Sequence, residues 1–208
     1  MFKPRIEHPS LQGRNFMSKK YKFFILIIIS IIAVTVAVLT VIPQIRKPNE
    51  AKTAMLQKYD LNGLSVKEMV NKLDSVTNED AGLNASITGT TLILFDNEKQ
   101  YDFKLPTSEF YLSFAPYINS IHPCQKHNLI SCRGEIKNAE FTISIIKKDG
   151  TVIMNQKVKS LATGFIGVWL PKNIEATLNV TYNGLSVSKD ITTYNDSDTC
   201  LTTPLKLS

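Results

Sequence analysis

Hydrophobic residues follow three different rhythms along this chain, one after another. The first is an unbroken run, Phe23–Ile42 (FFILIIISIIAVTVAVLTVI), uncharged, with Ser30, Thr35 and Thr40 as its polar members. At about 1.5 Å rise per residue, a helix of that length spans the ~30 Å hydrocarbon core of a bilayer. The run exceeds the roughly 7–15 apolar residues of a secretory signal, and no clear A-x-A cleavage pattern follows it. It therefore reads as an uncleaved transmembrane anchor, with a cleaved signal, and so a secreted protein, as the alternative. The second rhythm is helical. Ser65 and Glu68 form a capping box, Ser-x-x-Glu, which satisfies two orphan amide donors reciprocally. Val66, Met69, Val70 and Leu73 then recur at i, i+3, i+4 and i+7, one apolar face that ends by Asp74. Residues 75–83 read as a polar loop.

The third rhythm has period two and predicts strands. Thr91–Phe95 and Tyr101–Leu105 flank the polar Asp96–Gln100 and predict a hairpin. Phe110–Ile118 is aromatic-rich, but Pro116 makes any strand there stop or lie at an edge. Further on, Phe141–Ile146, Thr151–Val158, Gly164–Leu170, Ala176–Tyr182 and Leu185–Thr193 are candidates, with Leu201–Leu207 as a last one. Asp149-Gly150 and Asn183-Gly184 are tight-turn dipeptides between them. Five or six short strands at this spacing predict a β-sandwich or open barrel, with Trp169 as its core anchor.

The expected fold is therefore α+β. It comprises a cytoplasmic tail (1–22), the anchor (23–42), a linker with two prolines (43–50), a small α+β domain (51–118) and an antiparallel β-sandwich-like domain (119–208). Met1–Phe16 shows no apolar periodicity, and Met17 begins a second start-like segment, so these residues read as a tail or an over-extended start.

Charge sharpens this picture. The chain carries +6 overall, but residues 1–52 hold nine Lys/Arg against two acids, and the remainder is close to neutral. A nucleic-acid binder places its basic patch on the folded domain; here it flanks the apolar run, so nucleic acid is set aside. Lys19, Lys20 and Lys22 precede that run, which favours the N-terminus inside and the rest outside the cytoplasm.

The candidate chemistry is concentrated in His122–Cys132 (HPCQKHNLISC), which holds two of the three cysteines and two of the three histidines. The third cysteine, Cys200, lies near the C-terminus. Outside the cytoplasm thiols oxidise, and an odd cysteine points to reactivity, intermolecular pairing or metal. A structural disulfide, Cys132–Cys200 or Cys124–Cys200, with one thiol left over is the simplest outcome. Three features favour metal instead. Thiolate and imidazole donors share one loop and suit Cu(I) or Zn(II). The Cys-x₇-Cys spacing fits no zinc knuckle. Three cysteines fall short of the four normally holding an iron–sulfur cluster. Two thiolates can also reduce Cu(II) and close to a disulfide, with Lys126 and Arg133 placed to favour the thiolates. No nucleophile–base pair, phosphate loop or dinucleotide motif is present, so binding is expected rather than catalysis.

At these residues the chain resembles the CueP family of extracytoplasmic copper-binding proteins. The matching stretches are LNGLSVKEMVNKLD from Leu61, FYLSFAPYINSIHPCQKHNLISCRGE from Phe110, GFIGVWLPKNI from Gly164, LNVTYNG from Leu178 and TCLTT from Thr199, roughly residues 59–207. The resemblance implies copper bound by Cys124, Cys132 and Cys200, with His122 and His127 also matching. It implies an N-terminal α+β unit followed by a β domain. It implies a role in copper resistance and copper supply to a secreted superoxide dismutase, with Cu(II) reduction, and the family leaves room for a homodimer, which nothing in this sequence shows. The tether sets this chain apart from the soluble periplasmic members. Three rivals stay open: zinc as the metal, a membrane-tethered β-sandwich interaction module with a structural disulfide and no metal, and a thiol–disulfide exchange protein.

Overall fold

Residues 19–78 and 82–208 are described by a computed structural model, without the side chains of 19, 20, 22 and 37–48. The expected tail, 1–22, lies outside these residues up to Ser18, as do both candidate starts, Met1 and Met17. The chain divides into two units, Met1–Ala54 and Met55–Ser208.

The described backbone of the first unit is one helix, α1 (Lys19–Lys58), whose last turn belongs to the second unit. The expected linker, 43–50, is helical throughout. Pro43 and Pro48 each delete one amide donor without ending the helix. Phe23–Val36 are exposed. Among the described residues no helix is long and apolar enough to cross a membrane; of the expected anchor Phe23–Ile42, the side chains of 37–42 lie outside them.

The second unit begins with α2 (Val66–Asp74). The capping box forms as expected: Glu68 Oε2 accepts the Ser65 amide at 2.8 Å, and Ser65 Oγ accepts the Glu68 amide at 3.4 Å. Met69, Val70 and Leu73 are buried, and so is the acid Asp74 on the same face.

Strands β1 (Leu83–Ile87), β2 (Thr91–Asp96) and β3 (Lys99–Lys104) form an antiparallel meander. β1 starts at the last residue of the expected loop, 75–83, and runs through Asn84–Ile87, for which no element was expected, because its outward Asn84 and inward Ala85 carry little strand preference; Ala85 and Ile87 are fully buried. β4 (Glu109–Phe114) ends before Pro116 and is not an edge. It lies between β7 (Ile166–Pro171), antiparallel, and β10 (Cys200–Leu201), parallel. A third sheet has the order β6-β5-β8-β9, with β5 (Glu140–Lys147), β6 (Val152–Lys159), β8 (Glu175–Tyr182) and β9 (Leu185–Thr192), all antiparallel. The β8–β9 hairpin turns at Asn183-Gly184, both with positive φ (50° and 83°), the geometry this dipeptide favours. The expected final strand Leu201–Leu207 is reduced to β10, with a single further bridge from Lys206 to Tyr117.

Two cores flank β4. Phe110, Leu112 and Phe114 meet Ile166, Val168 and Leu170 of β7 and Phe141, Ile143, Leu178 and Val180 of the four-stranded sheet, the sandwich interior. Tyr111 faces the other way, into a cluster of α2, the meander and Leu129–Ile130. β4 thus belongs to both halves of the unit, and the expected division at 118/119 is crossed by its pairing with β7 and β10. Trp169 differs from its expected role. It alternates with Val168 and Leu170, so it points away from the sandwich. It lies half-buried against Tyr111, ring centroids 5.0 Å apart, with the Lys67 ammonium 4.9 Å from its centroid.

Candidate metal centre

The cysteine loop has no regular secondary structure, so its shape rests on hydrogen bonds to its neighbours. It docks on the free edge of β1: Leu129 N donates to Ala85 O (2.8 Å) and Ile87 N to His127 O (3.0 Å). Asn128 Oδ1 accepts the amides of Ile130 and Ser131, both at 3.0 Å, a side-chain turn that swings the chain back toward Cys132. Cys200 comes from the opposite end of the sequence. β10 lays it beside Ser113 of β4, and its amide donates to Gln125 O at 3.1 Å. Thr199 joins the pieces: its hydroxyl donates to Ile87 O (2.7 Å) and accepts the His127 amide (3.1 Å).

Four donor atoms result, from Cys124, His127, Cys132 and Cys200, all within 4.8 Å of one another. His127, Cys132 and Cys200 are buried and Cys124 is half-buried, so the group opens on the Cys124 side. Cys124 and Cys200 are joined as a disulfide, their Cα atoms 5.5 Å apart, and Cys132 is a free buried thiol. Cys132 Sγ lies 3.6 Å from Cys124 Sγ, and His127 Nδ1 lies 3.6 Å from Cys200 Sγ. These spacings suit a common ion: four donors about 2.0–2.3 Å from a tetrahedral metal lie about 3.3–3.8 Å from one another. The disulfide and the metal exclude each other, since thiolates are the ligands. The same three sulfurs therefore have two states, an oxidised one with one free thiol and a reduced one with three.

His122 is not in this group. It is exposed, and its ring centroid is 6.3 Å from that of Phe165. Phe165 also packs on His127, at 4.7 Å. Lys126 is exposed, and Arg133 donates to the carbonyls of Cys132 (2.8 Å) and Thr77 (3.3 Å).

The residue that sequence reading missed is Asp74. Its Oδ1 lies 2.7 Å from His127 Nε2, and its Oδ2 accepts the Tyr111 hydroxyl at 2.5 Å, with Ser113 Oγ at 3.4 Å. Burial opposes the imidazolium, but the Asp74 hydrogen bond and the Cys132 sulfur outweigh it, and the His127 pKa is raised to about 9. Burial and the neighbouring Asp74 carboxyl push the Tyr111 phenol well above its ordinary value. One signal was available in the sequence. Asp74 falls four residues after Val70, an acid on the apolar face of an amphipathic helix, and carboxyls are almost never fully buried without a partner.

The profile of the family described as "Periplasmic copper-binding protein CueP" matches residues 68–205. The chain belongs to the CueP family. It is also similar to the crystal structure of S.CueP, at 43% identity with a TM-score of 0.72, over 76% of this chain and 97% of that one. No curated protein sequence matches it significantly. Membership in CueP makes this a chain of a copper-binding, extracytoplasmic family, and the cluster of three sulfurs and one imidazole is the part of its fold with donors soft enough for that metal.

Proposed function

We propose that the reduced chain binds one Cu(I) through Cys124, Cys132 and Cys200, with His127 Nδ1 as a fourth donor and His122 outside the coordination sphere. Copper is the cargo here rather than a resident cofactor. The observation that carries this reading is the convergence of four soft or borderline donors in a mostly buried group in a member of a copper-binding family. Zinc would accept the same donor set, and the family favours copper.

The two sulfur states add a redox step. Two thiolates give one electron each to two Cu(II) ions. The products are one disulfide, Cys124–Cys200, and two Cu(I) ions. Because the product disulfide dismantles the site, an external dithiol or thiol–disulfide partner must reduce it before copper is held again. The folded unit acts outside the cytoplasm. The uncharged run Phe23–Ile42 tethers it to the membrane, and a secreted cuproenzyme such as a superoxide dismutase receives the copper. Extraction of native membranes at high pH tests the tether, since a spanning helix stays in the pellet.

The deciding experiment is an anaerobic Cu(I) titration of the reduced full chain against a Cu(I)-selective chelator, beside Cys200→Ser. One copper should bind in competition with the chelator, with affinity falling by more than ~100-fold in the variant, beyond the loss typical of an outer-shell substitution. Thiol counting should give three free thiols in the reduced chain, one in the oxidised chain, and protection once Cu(I) is added. A chain with one reactive thiol under every condition, and no copper uptake, would instead be the disulfide-stapled interaction module.

A further inference from the structure

We propose that Asp74 is a positioning residue for copper, holding His127 in the one ring orientation that presents Nδ1 to the sulfurs. The inference rests on the copper reading above and deepens it. An imidazole has two nitrogens on different edges of the ring, and a ligand histidine is aimed by whatever binds the other one. In His127 that other nitrogen is Nε2, 2.7 Å from Asp74 Oδ1. Turning the ring over would take the N–H away from Asp74 and leave a buried carboxyl oxygen without its donor. The main chain is fixed as well, through the His127 amide on Thr199 Oγ1 and its carbonyl on the Ile87 amide.

Asp74 is itself held in place, which a positioning residue must be. The Tyr111 hydroxyl donates to Oδ2, and the Thr163 hydroxyl reaches the Asp74 carbonyl at 3.4 Å. The Tyr111 hydroxyl in turn occupies the space where position 167 would carry a side chain. A Cβ on Gly167 would overlap Tyr111 Oη and come within 3.0 Å of Asp74 Oδ2. A line of contacts thus runs from Gly167 through Tyr111 and Asp74 to His127, linking β7, β4, α2 and the cysteine loop. Tyr111 packs its ring in the cluster of α2, the meander and Leu129–Ile130 while its hydroxyl holds Asp74, so each contact in the line fixes the next.

The test is a double-mutant cycle on the reduced, anaerobic full chain, with Cu(I) affinity read by chelator competition. Asp74→Asn preserves shape and is expected to weaken Cu(I) binding roughly 10–100-fold. His127→Ala should weaken it at least as much, and the double variant no more than His127→Ala alone. Losses that multiply in the double variant would overturn the proposal, because Asp74 would then act independently of the ring. A second readout needs no metal. In the copper-free reduced chain the His127 Nε2–H proton should resonate far downfield and exchange slowly; in Asp74→Asn it should move upfield and exchange faster. An unchanged resonance sinks the proposal. If wild-type chain fails to compete with the chelator, the copper reading falls and takes this one with it. If wild type and Asp74→Asn bind equally well, only this one falls.

Discussion

The two faces of β4 both pack on apolar cores, but only one of them also carries polar contacts to a buried acid. Phe110, Leu112 and Phe114 point into the sandwich, among side chains that are apolar throughout. Tyr111 and Ser113, one residue out of phase, point at Asp74, and through it toward His127 and the sulfurs. The burial is alike on both faces; the chemistry differs. On the first face stability scales with area removed from water and has no preferred direction. On the second, each buried polar atom must find a partner at a set distance, or its desolvation is uncompensated. A single strand can serve both because its side chains alternate. The structural consequence is that the candidate metal site is braced against the sandwich through β4 while its residues lie outside the sandwich core.

The sharpest way to break this comparison is to damage one face and ask whether the other notices. Phe110→Ala should cost about 3–5 kcal/mol of stability, read by urea denaturation, while Cu(I) affinity of the remaining folded chain stays near wild type. A parallel collapse of affinity would mean the faces are not separable. On the other face, Tyr111→Phe should cost less, about 1–3 kcal/mol, because it removes one donor from a buried carboxyl and leaves the apolar ring in place. If the change proves neutral, the network is not stabilising the fold.

The pH dependence of the metal-free chain comes next in size. The folded-state pKa of His127 lies above its ordinary value of 6.5, at about 9. A raised pKa means the folded state binds the proton more tightly than the unfolded one. The resulting stabilisation is complete below about pH 6.5 and is lost as pH rises through about 9. Thermal denaturation from pH 6 to 10 should therefore show wild type losing more than His127→Gln across that window. Parallel curves would remove the imidazolium from the account. The smallest effect is expected at the exposed Lys157–Glu140 pair, 2.8 Å apart on the outer surface of the four-stranded sheet. Lys157→Gln should melt with wild type, since solvent-exposed ion pairs of this kind contribute little; a clear loss would show that surface charge, not the two faces, sets stability.

Most of the local structure was legible along the chain. The Ser65–Glu68 box, the apolar face of α2, the β2–β3 hairpin and the Asn183-Gly184 turn are each specified by residues a few positions apart, so their signals survive without any tertiary context. β1 was not legible, because Leu83–Ile87 becomes a strand through its pairing with β2 and the cysteine loop rather than through strong preference of its own. The segment 43–50 shows the same limit from the other direction: two prolines read as a linker, yet the helical backbone continues through them. Trp169 was misjudged because size predicts burial but not which side of a strand is buried.

By itself the sequence determined which chemistry was available: three thiols and two nearby imidazoles in a near-neutral unit behind an apolar run, matching a copper-binding family across five stretches. Tertiary structure decided which of those groups meet. Cys200 enters because two residues of β10 pair with β4, and His122 is left out because the loop turns it to solvent. Asp74 enters although nothing in its neighbourhood along the chain resembles a metal site. Coordination and hydrogen bonding act over about 2–3 Å, and residues 53 positions apart, as Asp74 and His127 are, come that close only when separate elements pack.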